Sequence, residues 1–294
     1  VQTLTDYRLL CANGRLYRNN AVCETCVGRK VGTPAIRHKC YRDSRIASAG
    51  AVGMVALHNR MGTWASAVDM YIVPSAFARS KFLRFGLPGT KVMVKPHFVE
   101  KDPGKGSHQG GFALWVGPLM EEQGFRTVHD AWERIGRWLP LKVVGEGPLE
   151  SLSRQHVQGI EWLGRRSVAE VTDLMKDALF LVSAPNTLET FSMSIIQGYA
   201  TGLPAITTRH GALAELVPDG VTGLQFEPRN TGQLEGKVVW ALRNQEEWEK
   251  IIRNSRRAYE VKYTAARSHE LLVEAYRRAM AARTTRVPDE ALAS

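Results

Sequence analysis

Three short segments combine glycine with polar or acidic residues in a way that suits phosphate binding. They are residues 117–124 (Gly-Pro-Leu-Met-Glu-Glu-Gln-Gly), residues 145–148 (Gly-Glu-Gly-Pro) and residues 186–194 (Asn-Thr-Leu-Glu-Thr-Phe-Ser-Met-Ser). A glycine after a strand lets backbone amides approach a phosphate, and the helix start that follows favours its negative charge. Singly, each segment reads better as a tight strand-to-helix turn. Their recurrence after successive strands is what points to a ligand. Read from its position alone, Glu189 is a helix-start acid favoured by the macrodipole. A second group of chemically capable residues lies far upstream: Cys11, Cys23, Cys26 and Cys40 hold all the cysteine of the chain. A Cys-x2-Cys pair flanked by two further cysteines suits a closed, structural four-thiolate zinc site. Four reduced thiols, or two disulfides in an oxidising compartment, are the alternatives. His38 is either a substitute ligand or a surface histidine. No nucleophile–His–Asp set and no opposed acid–base pair of carboxylates is visible.

The elements that must position the three segments alternate short apolar runs with amphipathic stretches. Strands are expected at residues 112–116, 141–144, 179–182, 204–207 and 224–226, with helices at 127–135, from Ser167, and at 192–200. Ser167-Val-Ala-Glu170 has the capping-box pattern, followed by Val168, Val171, Leu174 and Met175 at helical spacing. Continuous apolar strands alternating with helices mean an α/β fold whose parallel sheet is covered on both faces. Upstream, residues 1–4, 69–74 and 91–95 read as strands, the last two around a helix at 77–85. The apolar stretch 46–57 reads as a packed helix, too short for the roughly 18 residues a membrane span needs. Residues 246–280 suit long packed helices through Trp248, Ile251, Ile252, Ala258, Tyr259, Leu271, Leu272 and Tyr276.

The expected organisation is therefore a partial α/β domain with the cysteine cluster over residues 1–100, and a Gly-rich linker over 101–111. A second α/β domain follows over 112–243, then helices over 244–282 and a frayed polar tail over 283–294. The chain opens on Val1 within a strand pattern, an abrupt start from which a missing upstream portion is expected. The net charge of +10 over 294 residues favours anionic partners without choosing among them. A run of five basic residues or an RNP-like aromatic strand is not found, so nucleic acid is not expected as a partner. A basic nucleic-acid-binding module with a zinc clip stays as the third-ranked reading.

Val116-Gly-Pro-Leu-Met-Glu-Glu-Gln-Gly124 resembles the phosphate loop of retaining glycosyltransferases of family 4, which have the two-Rossmann GT-B fold. Val144-Gly-Glu-Gly-Pro148 resembles their next strand end. The run from Glu189 to Pro204 is similar to their donor-site signature, and His210-Gly-Ala with Glu215, Asp219-Gly and Thr222-Gly223 to the segment after it. Tyr7-Arg-Leu-Leu-Cys11, Cys40-Tyr-Arg42, Gly86-Leu-Pro88 and Lys95-Pro96 resemble a bacterial branch of that family. The resemblance implies two Rossmann-like domains with parallel sheets, the N-terminal, acceptor-side one incomplete by about a hundred residues and the one over 112–243 binding the nucleotide sugar. It implies transfer of a hexosyl group, with retention, from a nucleoside-diphosphate sugar to a saccharide, lipid-linked or small-molecule acceptor. It implies that no cofactor or metal is required at the donor phosphates. Glu189 becomes the catalytic, sugar-contacting acid. Gly117, Pro118, Gln123, Gly145, Glu146, Phe191, Ser192, Met193, Ser194 and Gln197 become the donor-binding set. A cytoplasmic location, with peripheral contact at the membrane surface, is expected.

The departures from the family pattern fall at working positions. Gln197 stands where the family has its second, ribose-binding glutamate. Pro118 and Gln123 replace an arginine and a lysine that stabilise the departing diphosphate. Thr5 stands where a histidine is usual, and His97 replaces an asparagine. Arg126, Arg165 and Arg166 are candidates to supply the missing charge. Two readings stay open: a working transferase, or a catalytically impaired homologue that binds or regulates.

Overall fold

The computed structural model describes residues 1–154 and 157–284. The chain divides into two compact units, one formed by Val1–Pro96 with the segment from Ala266, the other by His97–Ala265.

In the first unit, strands β1 (Gln2–Thr3), β2 (Tyr17–Arg18) and β3 (Ala21–Val22) precede helices α1 (Thr33–Arg37), α2 (Arg45–Arg60) and α3 (Thr63–Ser66). Strand β4 (Tyr71–Val73), helix α4 (Ala76–Phe85) and strand β5 (Val92–Val94) follow. A three-stranded parallel sheet runs β1-β4-β5, and β2 and β3 form a small antiparallel hairpin. Ser44 and Ser75 start α2 and α4 by accepting hydrogen bonds from Ala47 N and Ala78 N. The expected helix at 46–57 forms, but it is not packed all round: Ile46, Met54 and Leu57 are exposed, while Ser48 and Val52 are buried. Small residues at positions 47 to 51 leave this helix with little apolar bulk to bury.

In the second unit, β6 (Ala113–Val116), α5 (Phe125–Ile135), β7 (Leu141–Val144), α6 (Glu150–Arg154) and β8 (Ile160–Gly164) come first. After them come α7 (Val168–Asp177), β9 (Phe180–Ser183), α8 (Met193–Thr201), β10 (Ala205–Thr208), α9 (Gly211–Leu216) and β11 (Gly223–Phe226). Helices α10 (Thr231–Arg243) and α11 (Gln245–Lys262) close the unit. The sheet is parallel throughout, in the order β11-β10-β9-β6-β7-β8. Successive residues of its central strands face opposite layers. Ala113, Trp115, Phe180 and Val182 pack with Phe125, Val128, Trp132 and Val238 on one side. Leu114 and Leu181 pack with Met175, Ile195, Ile196 and Tyr199 on the other. Burying each such large side chain stabilises the fold by about 1.5–3 kcal/mol, so both faces hold their helices. The capping box at Ser167 and Glu170 forms as the spacing predicts.

Three features differ from the expected organisation. Strand β8 was not among the strands read from the sequence. It is an edge strand with a charge, Glu161, inside an otherwise apolar run, so neither alternation nor a continuous run marks it. Residues 101–111 lie within the second unit: Gly106 N donates to Thr201 O, His108 N to Lys176 O and Gly110 N to Asp177 O. Last, helix α12 (Ala265–Thr284) belongs mostly to the first unit, where Ala275 and Ala279 pack with Met70, Ile72 and Met93. Tyr276, expected in a packed position, is exposed because α12 turns its alanines inward. The remainder of the expected tail, residues 285–294, lies outside the described residues.

Asp102 fixes the 101–111 stretch to α11 through a two-pronged ion pair, Oδ1 with Arg256 Nη1 at 2.8 Å and Oδ2 with Nη2 at 2.5 Å. The Arg256 hydrogen bonds hold the Asp102 carboxyl below its ordinary value. A depressed folded-state value means that the stabilisation is fully present above the ordinary aspartate range and is lost as the pH falls through the folded value. Denaturant titrations of wild type and Asp102→Asn are therefore expected to differ at about pH 6 and to converge towards about pH 3. Equal stabilities at the higher pH would remove the pair from the account.

Candidate functional site

Sheet order places a break in direction at the middle of the second unit. From β6 the chain runs outward through β7 and β8, then returns to lay β9, β10 and β11 on the opposite side. Loops at the carboxyl ends of the two strands flanking such a switch point diverge and leave a crevice. A cavity of about 260 Å³ occupies that place. Trp115, Val116, Gly117 and Pro118 line it from the end of β6, and Val182, Ser183 and Pro185 from the end of β9. The start of α8 closes it with Phe191, Ser192, Met193 and Ser194; Gln123, Glu189 and Leu213 complete the wall. The Ser192 side chain makes no capping bond to α8 and instead meets Ser194 Oγ at 3.1 Å. The first amides of α8 are thus left without that internal partner, at the positive end of a helix dipole.

Glu189 is the one ionisable side chain among the described residues that line this cavity. Its Oε1 accepts from Gln123 Nε2 and from Thr187 Oγ1, both at 2.9 Å, so two loops fix the carboxylate. The loop carrying it is itself tied down. Asn186 Nδ2 donates to Glu121 O at 2.7 Å, and Ala212 N to Glu189 O at 3.1 Å. His97 packs edge-on against Phe191, with ring centroids 5.1 Å apart. Nearby, burial pushes the His210 imidazole below its ordinary value. A carboxylate beside free helix-start amides offers an acceptor for sugar hydroxyls and donors for an anion.

Residues 111–244 match the family model for Glycosyl transferases group 1. The match covers the six-stranded sheet and every residue lining the cavity. An uncharacterised glycosyltransferase of Methanocaldococcus jannaschii is 32% identical over 170 residues, 51% of this chain and 48% of that protein. The O-antigen chain mannosyltransferase C of Escherichia coli is 27% identical over 195 residues, 62% of this chain and 52% of that protein. The chain thus spans about half the length of these relatives. Anabaena HepE, solved in complex with UDP and glucose, superposes with a TM-score of 0.60 at 16% identity, covering 70% of this chain and 62% of its own. The fold is the α/β GT-B type with parallel sheets.

Of the donor-binding positions expected from the sequence, the structure brings Gly117, Pro118, Gln123, Phe191, Ser192, Met193 and Ser194 into one wall with Glu189. Gly145, Glu146 and Gln197 are not among the lining residues. Gly145 and Glu146 stand behind the first loop, where Glu146 O accepts from Leu119 N at 3.0 Å. A Cβ on Gly145 would meet Gly117 O at 1.9 Å, so only glycine permits that approach. Gln197 lies one turn along α8 and is half-buried. Arg126, considered as a substitute cation, is paired with Glu121 at 2.5 Å, and Arg166 with Glu170 at 3.8 Å. Two tryptophans were missed. Trp115 Nε1 donates to Gly117 O at 3.1 Å and Trp162 Nε1 to Gly145 O at 3.0 Å, each pinning a loop carbonyl. The signal available was that a buried indole N–H needs an acceptor, and glycine loops expose carbonyls.

The four cysteines belong to the first unit, and none is joined to another. Burial, then the neighbouring Cys11 thiol, raises the Cys26 thiol; burial, then Cys11 and Cys23, raises that of Cys40. Burial also opposes ionisation of Cys23, but its bonds with Thr25 and Arg18 outweigh this and leave it below the ordinary value.

Proposed function

We propose that this chain carries the donor-binding half of a glycosyltransferase that moves a hexosyl group, with retention, from a nucleoside-diphosphate sugar to a saccharide, lipid-linked or small-molecule acceptor. The observation that carries the reading is Glu189, held by Gln123 and Thr187 at the mouth of the switch-point cavity beside the start of α8. In this reading the amides of Ser192, Met193 and Ser194 receive the diphosphate, and the Glu189 carboxylate accepts from hydroxyls of the donor sugar. Gln197, on the same face of α8 as Met193 and Ser194, reaches towards the ribose. The relatives named above support a sugar transferase, and the UDP and glucose bound by HepE support a nucleotide-sugar ligand. The protein works in the cytoplasm on this reading. Helix α2 and its end, which expose Ile46, Met54, Leu57 and Met61, would meet a membrane carrying a lipid-linked acceptor.

A second reading rests on the charge of the cavity. Its lining holds a carboxylate and, among the described residues, no basic side chain. A helix start contributes about half a positive charge, worth typically 0.3–1 kcal/mol, whereas hydrogen bonds to charged partners are worth about 1.5–3 kcal/mol each. Amides alone therefore hold a diphosphate weakly, and a binding protein with little turnover fits that balance.

Titration calorimetry with UDP, GDP, ADP and their common sugars tests the site directly. Glu189→Ala is expected to weaken nucleotide-sugar binding roughly 10- to 100-fold and to leave binding of the sugar-free diphosphate nearly unchanged. Equal losses for both ligands would move Glu189 away from the sugar. No binding to wild type by any of them would sink the donor-site reading.

A further inference from the structure

All four cysteines line one cavity of about 10 Å³ in the first unit, together with His38, Asn13 and Arg18. That is about the room one water or one ion takes, far too little for a substrate. We propose that Cys11, Cys23, Cys26 and Cys40 bind a single structural zinc ion as a closed four-thiolate site. This rests on residues of the first unit alone and is independent of the donor-site reading.

The surroundings show why a staple is needed there. Residues 1–44 contain only the two-residue strands β1, β2 and β3 and the five-residue helix α1. Of the eight non-glycine residues with positive φ among the described residues, six fall between the first and just past the last cysteine: Leu16, Asn19, Asn20, Lys39, Arg42 and Asp43. Such conformations cost free energy and persist only where the surroundings hold them. Short, irregular chain with few ladder hydrogen bonds commonly depends on a disulfide or a metal for that. The thiols are unjoined, and they share one cavity instead of forming two separated pairs.

The charge around the cavity favours the metal. Zinc with four thiolates is a dianion, which needs nearby positive charge. Arg18 Nε is buried there without a hydrogen-bond partner, while its Nη1 stands 3.2 Å from His38 Nδ1. Among the described residues no three cysteine, histidine or acidic groups already stand in coordinating geometry. Closure therefore requires the side chains to turn inward. Cys11 Sγ would exchange its 3.0 Å bond to Asn13 Oδ1, and Cys26 Sγ its 3.9 Å contact with Gly32 O, for the metal. Four S–H protons leave to solvent, four Zn–S bonds form, and nothing is oxidised.

The test is elemental analysis of the full chain, purified without chelator, alongside a thiol count on the denatured protein without reductant. One zinc and four titratable thiols per chain are expected, with X-ray absorption giving four sulfurs at about 2.3 Å. Arg18→Ala, which keeps every ligand, is expected to lower zinc affinity ~10- to 100-fold. Cys23→Ser is expected to lose the ion. If that variant does not fold, the wild-type stoichiometry and sulfur shell still decide. Four thiols with no zinc bound and none taken up on titration would overturn the assignment. So would two disulfides, or a shell containing nitrogen or oxygen.

Discussion

Replacing Gly124 with alanine is expected to destabilise the second unit by roughly 2–6 kcal/mol. Gly124 is the residue from which α5 starts, and its φ of +73° lies in the left-handed region. An added Cβ there would sit 1.7 Å from Ala184 O, a backbone atom at the end of β9. Neither the strain nor the overlap can be relieved by a side-chain rotation, because both partners are backbone. Relief requires pulling the first loop away from β9, which would also widen the cavity and separate Gln123 from Glu189. Gly53→Ala makes the control. Gly53 lies inside α2 with nothing within 4 Å of the added methyl, and the change is expected to stabilise by about 0.5–1 kcal/mol. Chemical denaturation followed by tryptophan fluorescence reports mainly the second unit, which holds six of the seven tryptophans, while Trp64 reports the first unit, where Gly53 lies. A Gly124→Ala midpoint equal to wild type would show that the close approach to Ala184 does not exist in solution.

The same two strands explain what could be read from sequence and what could not. Residues 113–116 and 180–183 are apolar on both faces, and that pattern alone implies a covered parallel sheet. Glycine and serine at the strand ends then mark where the loops lie. Sequence spacing does not show that β6 and β9 are neighbours, which depends on the chain reversing after β8, an edge strand that charge had disguised. Hence the loops could be listed, but not which of them share a wall: Gly145 and Glu146 match a motif yet support the first loop from behind. Charge was harder still. Arg126 follows the loop closely in sequence, but its guanidinium is held by Glu121, a partner five residues away that faces outward with it. The return of α12 to the first unit depends on contacts between Met70 or Met93 and Ala275 or Ala279. Small apolar residues on a long helix carry no mark of which sheet they will meet.

Adding positive charge to the cavity is expected to have the largest functional effect. Pro118→Arg with Gln123→Lys should raise diphosphate affinity, transfer rate, or both by at least ~100-fold, the typical effect of one leaving-group donor. Pro118 is exposed at the cavity rim, so an arginine there can reach inward without displacing core. Gln123 is different, because its amide already stands 2.9 Å from Glu189 Oε1. A lysine in its place would pair with that carboxylate, and part of its charge would be spent before any ligand arrived. A cation about 4 Å from a phosphate gains ~4 kcal/mol at an effective dielectric of 20, so the unpaired arginine should account for most of the gain. The two single variants and the double form a cycle that separates these contributions. A large effect of Pro118→Arg alone would mean that the cavity binds the diphosphate and lacks only charge. If neither single variant nor the double improves UDP binding, the amides at the start of α8 do not face a phosphate, and the impaired-homologue reading loses its basis along with the active one.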